Sequence, residues 1–285
     1  MKLTILGSGG CQIIPRPCCQ CKICREARAK GIPYERLGPS MFIEDESVLF
    51  DAPEEIGVEL NRANVQDVKN VFFSHWHPDH TAGMRLFEQL NLNWFAGKGT
   101  KAVNLYLPGK VYDDVSALGS KFGSYLAYWK RMKLIKVHRL PPGKPVKIGS
   151  IKVTAVKVNA ADGTNSFIFL IEQGDKKAIY SICDFKPFPL NSKKLRHPDV
   201  LIIQNGYFEG PLKDGYVLPK NHELRREMHS FQEVLDIAEA LNAKKVIFSH
   251  LEELWGKSFD DYGKMEKEYK KYNVKFAYDG MKVKV

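Results

Sequence analysis

Apolar residues in this chain fall mostly into short runs bounded by turn residues, the pattern of buried strands. Lys2 to Leu6 is an apolar run that ends in the glycine-rich Gly7-Ser8-Gly9-Gly10. Met41–Ile43 and Val48–Phe50 flank Asp45-Glu46 and predict a hairpin. Val71–Ser74 predicts a short buried strand that delivers the chain into a histidine-rich loop. Further strands are expected at 151–158, 166–172, 178–182 and 200–203, with a turn at Gly174-Asp175. Val246–Ser249 predicts another, ending at His250. Helical periodicity is confined to a few places. Ser230 to Leu241 reads as a helix, with Ser230 as N-cap and Glu233 completing a capping box. Leu118, Phe122, Tyr125, Leu126 and Trp129 also lie at helical spacing; an aromatic stripe of this kind could bind a base or sugar, but the buried core face of a helix is the favoured reading. Strands dominate each half and helices separate them. That predicts two sheets packed face to face with helices outside, in a single α+β domain.

Composition changes this picture little. The 285 residues are 44% hydrophobic and 27% charged, enough for a sizeable core. These values exclude an acidic disordered chain, a collagen and a disulfide miniprotein. The net charge of +10 comes from 32 Lys and 11 Arg against 33 acidic residues. The basic excess favours an anionic partner, but the Lys residues are scattered, so most of the charge reads as solvated surface; nucleic acid is permitted but not favoured. No run of apolar residues is long enough to span a membrane, and the N-terminus lacks a secretory pattern. The expectation is a cytoplasmic protein with no membrane partner. Four of six cysteines lie between Cys18 and Cys24, a clustering that favours metal binding over a disulfide framework.

The densest chemistry is Ser74-His75-Trp76-His77-Pro78-Asp79-His80. Three of the chain's eight histidines and one carboxylate fall just after a predicted strand. Imidazole and carboxylate suit zinc, manganese or iron. A strand end holds such ligands rigidly while the following loop leaves them open to substrate.

His75-x-His77-x-Asp79-His80 resembles the signature of the metallo-β-lactamase superfamily. That resemblance implies a four-layer αβ/βα sandwich over residues 1–285, with the ligands at strand ends. It implies that His75 and His77 serve one metal, and that Asp79, His80, Asp184 and His250 serve a second, Asp184 bridging the two. It also implies that Asp51 buttresses the histidine loop. One element departs from the family pattern. Ala160 stands where the first metal's third histidine is usual, so that site is weakened, completed by water, or empty. Asp162 is nearby, but Asp162-Gly163 reads better as a turn.

Cys19-x-Cys21-x2-Cys24 offers three thiolates to one tetrahedral zinc, in a loop at about 11–30. With Gly7–Gly10, Arg25–Arg28 and the ending Phe276–Met281, this cluster resembles the PhnP-like phosphodiesterase branch. That branch implies a structural zinc whose fourth ligand is a histidine. Here the position is Glu253, with Cys11 and Cys18 as other candidates. Gly7-x-Gly9 is followed by Gln12 where a dinucleotide fingerprint needs glycine, so close backbone packing is the better reading.

The resemblance implies a metal-dependent hydrolase that acts on small cyclic phosphates or phosphodiesters through a metal-activated water. One or two active-site metals and one structural zinc are expected. Asp79 would orient the water. By the same resemblance His229 is the candidate for phosphate binding or leaving-group protonation, with His222 as its neighbour alternative. The other readings are an RNA-processing nuclease of the same superfamily and a non-hydrolytic metabolite- or protein-binding relative. A homodimer is compatible with the sequence.

Overall fold

The computed structural model describes residues 1–182 and 186–285. Two seven-stranded sheets form its centre. In the first, the order is 135–140, 103–108, 70–72, 48–50, 40–43, 2–7 and 281–284. Its first four strands run parallel, and the remainder pair antiparallel. In the second, the order is 145–148, 151–159, 165–173, 176–181, 200–204, 246–249 and 274–276. There the first four strands are antiparallel and the last four parallel. Together with the helices outside, this is the αβ/βα sandwich of the metallo-β-lactamase fold.

The parallel strands explain their own sequences. Val200–Gln204 and Val246–Ser249 are buried at every position, because sheet lies on one side and helix on the other. Their mates along the chain are the helices Phe231–Ala240 and Phe259–Glu268, whose Phe231 and Tyr262 pack on Phe248 and Phe276 of the second sheet's outer face. The helix after Ser230 begins with both halves of a capping box. Ser230 Oγ accepts from Glu233 N at 3.2 Å, and Glu233 Oε2 accepts from Ser230 N at 2.7 Å.

Between the sheets lies the larger core. Phe50 packs on Phe72 at 5.1 Å between ring centroids, on Phe169 at 5.2 Å and on Tyr180 at 5.6 Å. Phe50 and Phe72 belong to strands that end at Asp51 and at the histidine loop. The aromatic cluster therefore fixes the floor of the candidate site.

The segment from 84 to 140 departs from its periodicity. Val103–Pro108 and Ile135–Leu140 are strands that extend the first sheet. The expected helix from 118 to 129 is broken. Gly119–Ser120 and Gly123–Ser124 form a small hairpin, with Phe122 exposed at its turn. Gly123 has φ +113, a conformation that side-chain-bearing residues rarely adopt. The helix is only Tyr125–Arg131, capped by Ser124 Oγ, which accepts from Ala127 N. Among the described residues, no helix is long and apolar enough to cross a membrane.

Candidate metal centre

Three strand ends of the two sheets meet above the aromatic floor: Asp51 after 48–50, the histidine loop after 70–72, and His250 after 246–249. Asp51 and His250 take left-handed backbone conformations, φ +59 and +57, where each chain turns out of its strand. Both side chains are buried.

Asp51 organises the loop. Its Oδ1 accepts from Ser74 N at 2.8 Å and from Ser74 Oγ at 3.0 Å. Its Oδ2 lies 2.9 Å from His80 Nδ1 and accepts from Tyr180 OH at 3.2 Å. A carboxylate on Nδ1 leaves the opposite nitrogen as the metal-facing atom of the ring. His80 Nε2 lies 3.2 Å from Asp79 Oδ2, and His250 Nε2 lies 3.3 Å from the same oxygen. Bonds of 2.0–2.1 Å in a tetrahedral site put neighbouring ligand atoms about 3.3–3.4 Å apart. Asp79, His80 and His250 thus fit one face of a coordination sphere for a divalent metal. Asp184, expected to complete and bridge the sites, lies outside the described residues.

The charges fit the same reading. Burial would lower the His80 imidazole, but Asp79 and Asp51 outweigh it and push the group up to about 10. Burial would raise the Asp79 carboxyl, yet His80 and His250 hold it well below the usual carboxylate range. His75 goes the other way: burial and the neighbouring imidazoles of His80 and His77 push it well below an ordinary histidine.

His75 and His77 sit beside this set, their ring centroids 4.6 Å apart, and His75 Nδ1 lies 3.0 Å from Ser74 Oγ. Among the described residues no group of three ligand atoms includes this pair. Ala160 is packed against the second sheet's outer core. Asp162 is a turn residue, accepting from Thr164 N at 2.8 Å and Thr164 Oγ1 at 2.6 Å.

Glu252 holds the far side of the centre, 3.4 Å from His250 Nδ1 through Oε1. The same carboxylate accepts from Cys11 N at 2.8 Å and Gln12 N at 3.1 Å. A Cβ on Gly10 would overlap both Glu252 and His250, so this position requires glycine. Gly7 is crowded likewise by Gly38 O and Glu59 Oε1. The glycine loop is therefore a close-packing element. It is clasped from the other end of the chain by Asp279, which accepts from Ser8 N at 2.9 Å, Ser8 Oγ at 2.8 Å and Leu37 N at 2.8 Å.

The cysteine loop forms a second cluster. Cys21 is the N-cap of the helix Lys22–Lys30, and its sulfur accepts from Cys24 N at 3.4 Å. Cys24 Sγ accepts from Arg16 N at 3.3 Å. Glu253 Oε1 lies 3.5, 3.1 and 3.5 Å from the sulfurs of Cys19, Cys21 and Cys24. Tetrahedral zinc with Zn–S near 2.3 Å and Zn–O near 2.1 Å would separate sulfur and oxygen by about 3.6 Å. Glu253 Oε2 is buried without a hydrogen-bond partner. The four groups fit zinc, and neither Cys11 nor Cys18 belongs to the set. Cys11 lines the metal-centre cavity instead. Burial pushes the Cys24 thiol up to about 12.

His229 is buried just before the helix Phe231–Ala240. Burial, with Lys186 nearby, pushes it down to about 4, so it is neutral at pH 7. Among the described residues it is not in the wall of the 370 Å³ cavity that holds Asp79, His80 and His250. His222 is exposed, its Nδ1 accepting from Leu224 N at 3.1 Å. Tyr180, Glu252 and Lys213 escaped the sequence reading. Tyr180 and Lys213 touch the sites through contacts distant along the chain; Glu252 sits two residues from His250, but its bonds from Cys11 N and Gln12 N span 241 and 240 residues, and no motif marks it.

Residues 47–251 match the family described as the Beta-lactamase superfamily domain. Among solved structures, the Zn(2+)-bound PqqB from Methylobacterium extorquens aligns with a TM-score of 0.75 at 16% identity, covering 100% of both chains. A diphosphatase from the PhnP family aligns with a TM-score of 0.71 at 19% identity, covering 99% of this chain and 96% of the other. Human tRNase Z, short form, aligns with a TM-score of 0.64 at 18% identity, covering 100% and 99%. At these identities the likeness is one of fold. No curated protein sequence matches the chain.

Proposed function

Because the chain belongs to the β-lactamase superfamily, we propose that it is a metal-dependent hydrolase of phosphodiesters, small cyclic phosphates included. The carrying observation is the closure of His80 Nε2 and His250 Nε2 on one oxygen of Asp79, at 3.2 and 3.3 Å, with Asp51 locking the His80 ring from behind. In this reading Asp79, His80 and His250 hold the working metal with Asp184, and His75 and His77 offer a second, incomplete position. When bound, a divalent metal supplies Lewis acidity toward a water and a phosphoryl oxygen.

The chain's own groups do the rest. Asp79 directs Oδ2 at both imidazoles and keeps Oδ1 to accept a hydrogen bond from the attacking water. Asp51 and Glu252 fix the two imidazole rings, so little is reorganised as charge develops. His229 lies outside the wall of the metal-centre cavity and is assigned to the site by the family resemblance alone; being neutral, it would donate a hydrogen bond to phosphate rather than protonate the leaving group. Cys19, Cys21, Cys24 and Glu253 hold a structural zinc away from the chemistry. The protein acts in the cytoplasm on a small phosphorylated substrate.

A second reading is favoured by Ala160, which stands where a third histidine would join His75 and His77: a non-hydrolytic relative that uses the metal to bind a ligand. Metal content and turnover of bis-p-nitrophenyl phosphate separate the two. The proposal expects two or more metals per chain and turnover, reduced at least a hundredfold in His80→Ala and His250→Ala. Wild-type-like turnover in those variants would overturn the metal assignment. Full metal loading without turnover of any phosphodiester would select the binding reading.

A further inference from the structure

A cavity of about 710 Å³ adjoins the metal centre and takes no part in the account above. Pro78 lines both this cavity and that of the metal centre, and Trp76, between His75 and His77, projects into its wall. Its far side is the hairpin 119–124 and the helix Tyr125–Arg131. The volume is that of a small-molecule site rather than of a protein-binding groove.

We propose that this cavity is the subsite for a flat aromatic arm of the substrate, of nucleobase kind, carried by the phosphoester that lies over the metal. The inference rests on the hydrolase reading for the position of the phosphate and on the cavity for the nature of the arm. Three rings on the wall remain open to solvent: Trp76 is 38% exposed, Phe122 87% and Tyr125 45%. Single exposed aromatics are ordinary, but three turned onto one concavity are a surface that lacks its occupant. The floor beneath them is rigid. Trp129 is buried, stacks on Tyr125 at 5.7 Å, and donates from Nε1 to Glu88 Oε1 at 2.8 Å. That bond engages one oxygen of Glu88, the one carboxylate lining the cavity among the described residues. Arg85 and Arg131 supply the positive charge, Arg131 lying over the Tyr128 ring at 5.5 Å. Aromatic faces with guanidinium groups suit an electron-rich planar ring attached to an anion, and a saturated sugar phosphate would leave the rings uncovered.

Titration calorimetry of the manganese-loaded protein with adenosine 5′-monophosphate and with ribose 5-phosphate tests this directly. The two probes share the sugar phosphate and differ in the base. The proposal expects the adenine nucleotide to bind about tenfold or more tightly than ribose 5-phosphate, the range that base stacking supplies. It expects the preference to shrink to within about threefold in Trp76→Ala and in Phe122→Ala. Phe122 lies on an exposed hairpin, so its variant keeps fold and metal content. Equal binding of the two probes, or a preference that survives in both variants, would overturn the subsite. If phosphodiester turnover persisted meanwhile, the hydrolase reading would stand without it. A preference lost in the variants, in a protein that turns over no phosphodiester, would uphold the subsite and overturn the hydrolase reading.

Discussion

Lys213 Nζ lies 2.6 Å from Glu253 Oε1, the oxygen that faces the three cysteine sulfurs. Three thiolates and a carboxylate leave a zinc site with a net charge of −2, and Lys213 offsets part of it. Partners of this second kind change metal affinity by about 10–100-fold when removed. Lys213→Met should therefore release zinc to a competing chelator about tenfold more readily than the wild type. Glu253→His should keep zinc in a Lys213→Met background, because a neutral ligand removes the charge that Lys213 balances. Equal zinc retention in wild type and Lys213→Met would mean that the lysine is a bystander.

Cys21→Ala should cost one zinc per chain and lower the melting temperature, while turnover by the folded fraction changes little. Elemental analysis alongside a thermal melt checks this. Loss of turnover with zinc retained would place the cluster in the chemistry.

Asp51 offers a graded test. Asparagine tolerates its left-handed backbone and still accepts from Ser74. Asp51→Asn should weaken active-site metal binding by about 10–100-fold with a small change in stability. Asp51→Ala should also destabilise by roughly 1–3 kcal/mol, since the buried Ser74 N–H loses its acceptor. Chelator competition and denaturant melts separate the two effects.

Glu59 carries a pH dependence. It is fully buried beneath Gly7, accepts from Ser40 Oγ, and has its other oxygen unpartnered. Burial above all, then Asp279 and Glu55, raise its carboxyl well above the ordinary value. A raised folded-state value means the folded protein binds this proton more tightly than the unfolded chain. Its stabilisation is complete below the unfolded value of about 4.3 and is lost as pH rises through the folded one. Glu59→Gln should remove that loss, so the stability difference between variant and wild type should grow in the variant's favour as pH rises. A difference independent of pH would show that Glu59 is ionised throughout.

His229 should leave no mark on the pH–rate profile between pH 6 and 8, being neutral there. If His229 reaches phosphate from outside the cavity wall, His229→Ala should lower kcat/KM for phosphodiesters by about tenfold to a hundredfold with metal content unchanged, and an unchanged kcat/KM would remove it from the site. An ionisation near 6.5 that disappears in the variant would restore the acid role.

The strands that build the histidine–aspartate centre were legible because each is a short apolar run ending in a chemically distinctive residue: Phe50 before Asp51, Phe72 and Phe73 before the histidines, Phe248-Ser249 before His250. Ile135–Leu140 was not legible. It is the edge of its sheet, so Lys136 and Arg139 face water and dilute the alternation. The stripe from Leu118 to Trp129 misled for a different reason. Its spacing is helical, but Gly119 and Gly123 favour a hairpin, and Phe122 and Tyr125 turn to the cavity rather than into a helix core. Tyr180, Glu252 and Lys213 act over separations of 129, 241 and 40 residues, which no local pattern encodes.

The clasp of Ser8 by Asp279 spans 271 residues. Closing a loop of that length carries an entropy cost that the rest of the sandwich must offset. The glycine loop, with Glu252 and Cys11 behind it, is therefore held by a residue from a remote part of the chain. The histidine loop and its Asp51 partner are only 23 residues apart. One wall of the metal centre is a local product of the chain, and the other depends on the segments around residues 8 and 279 meeting.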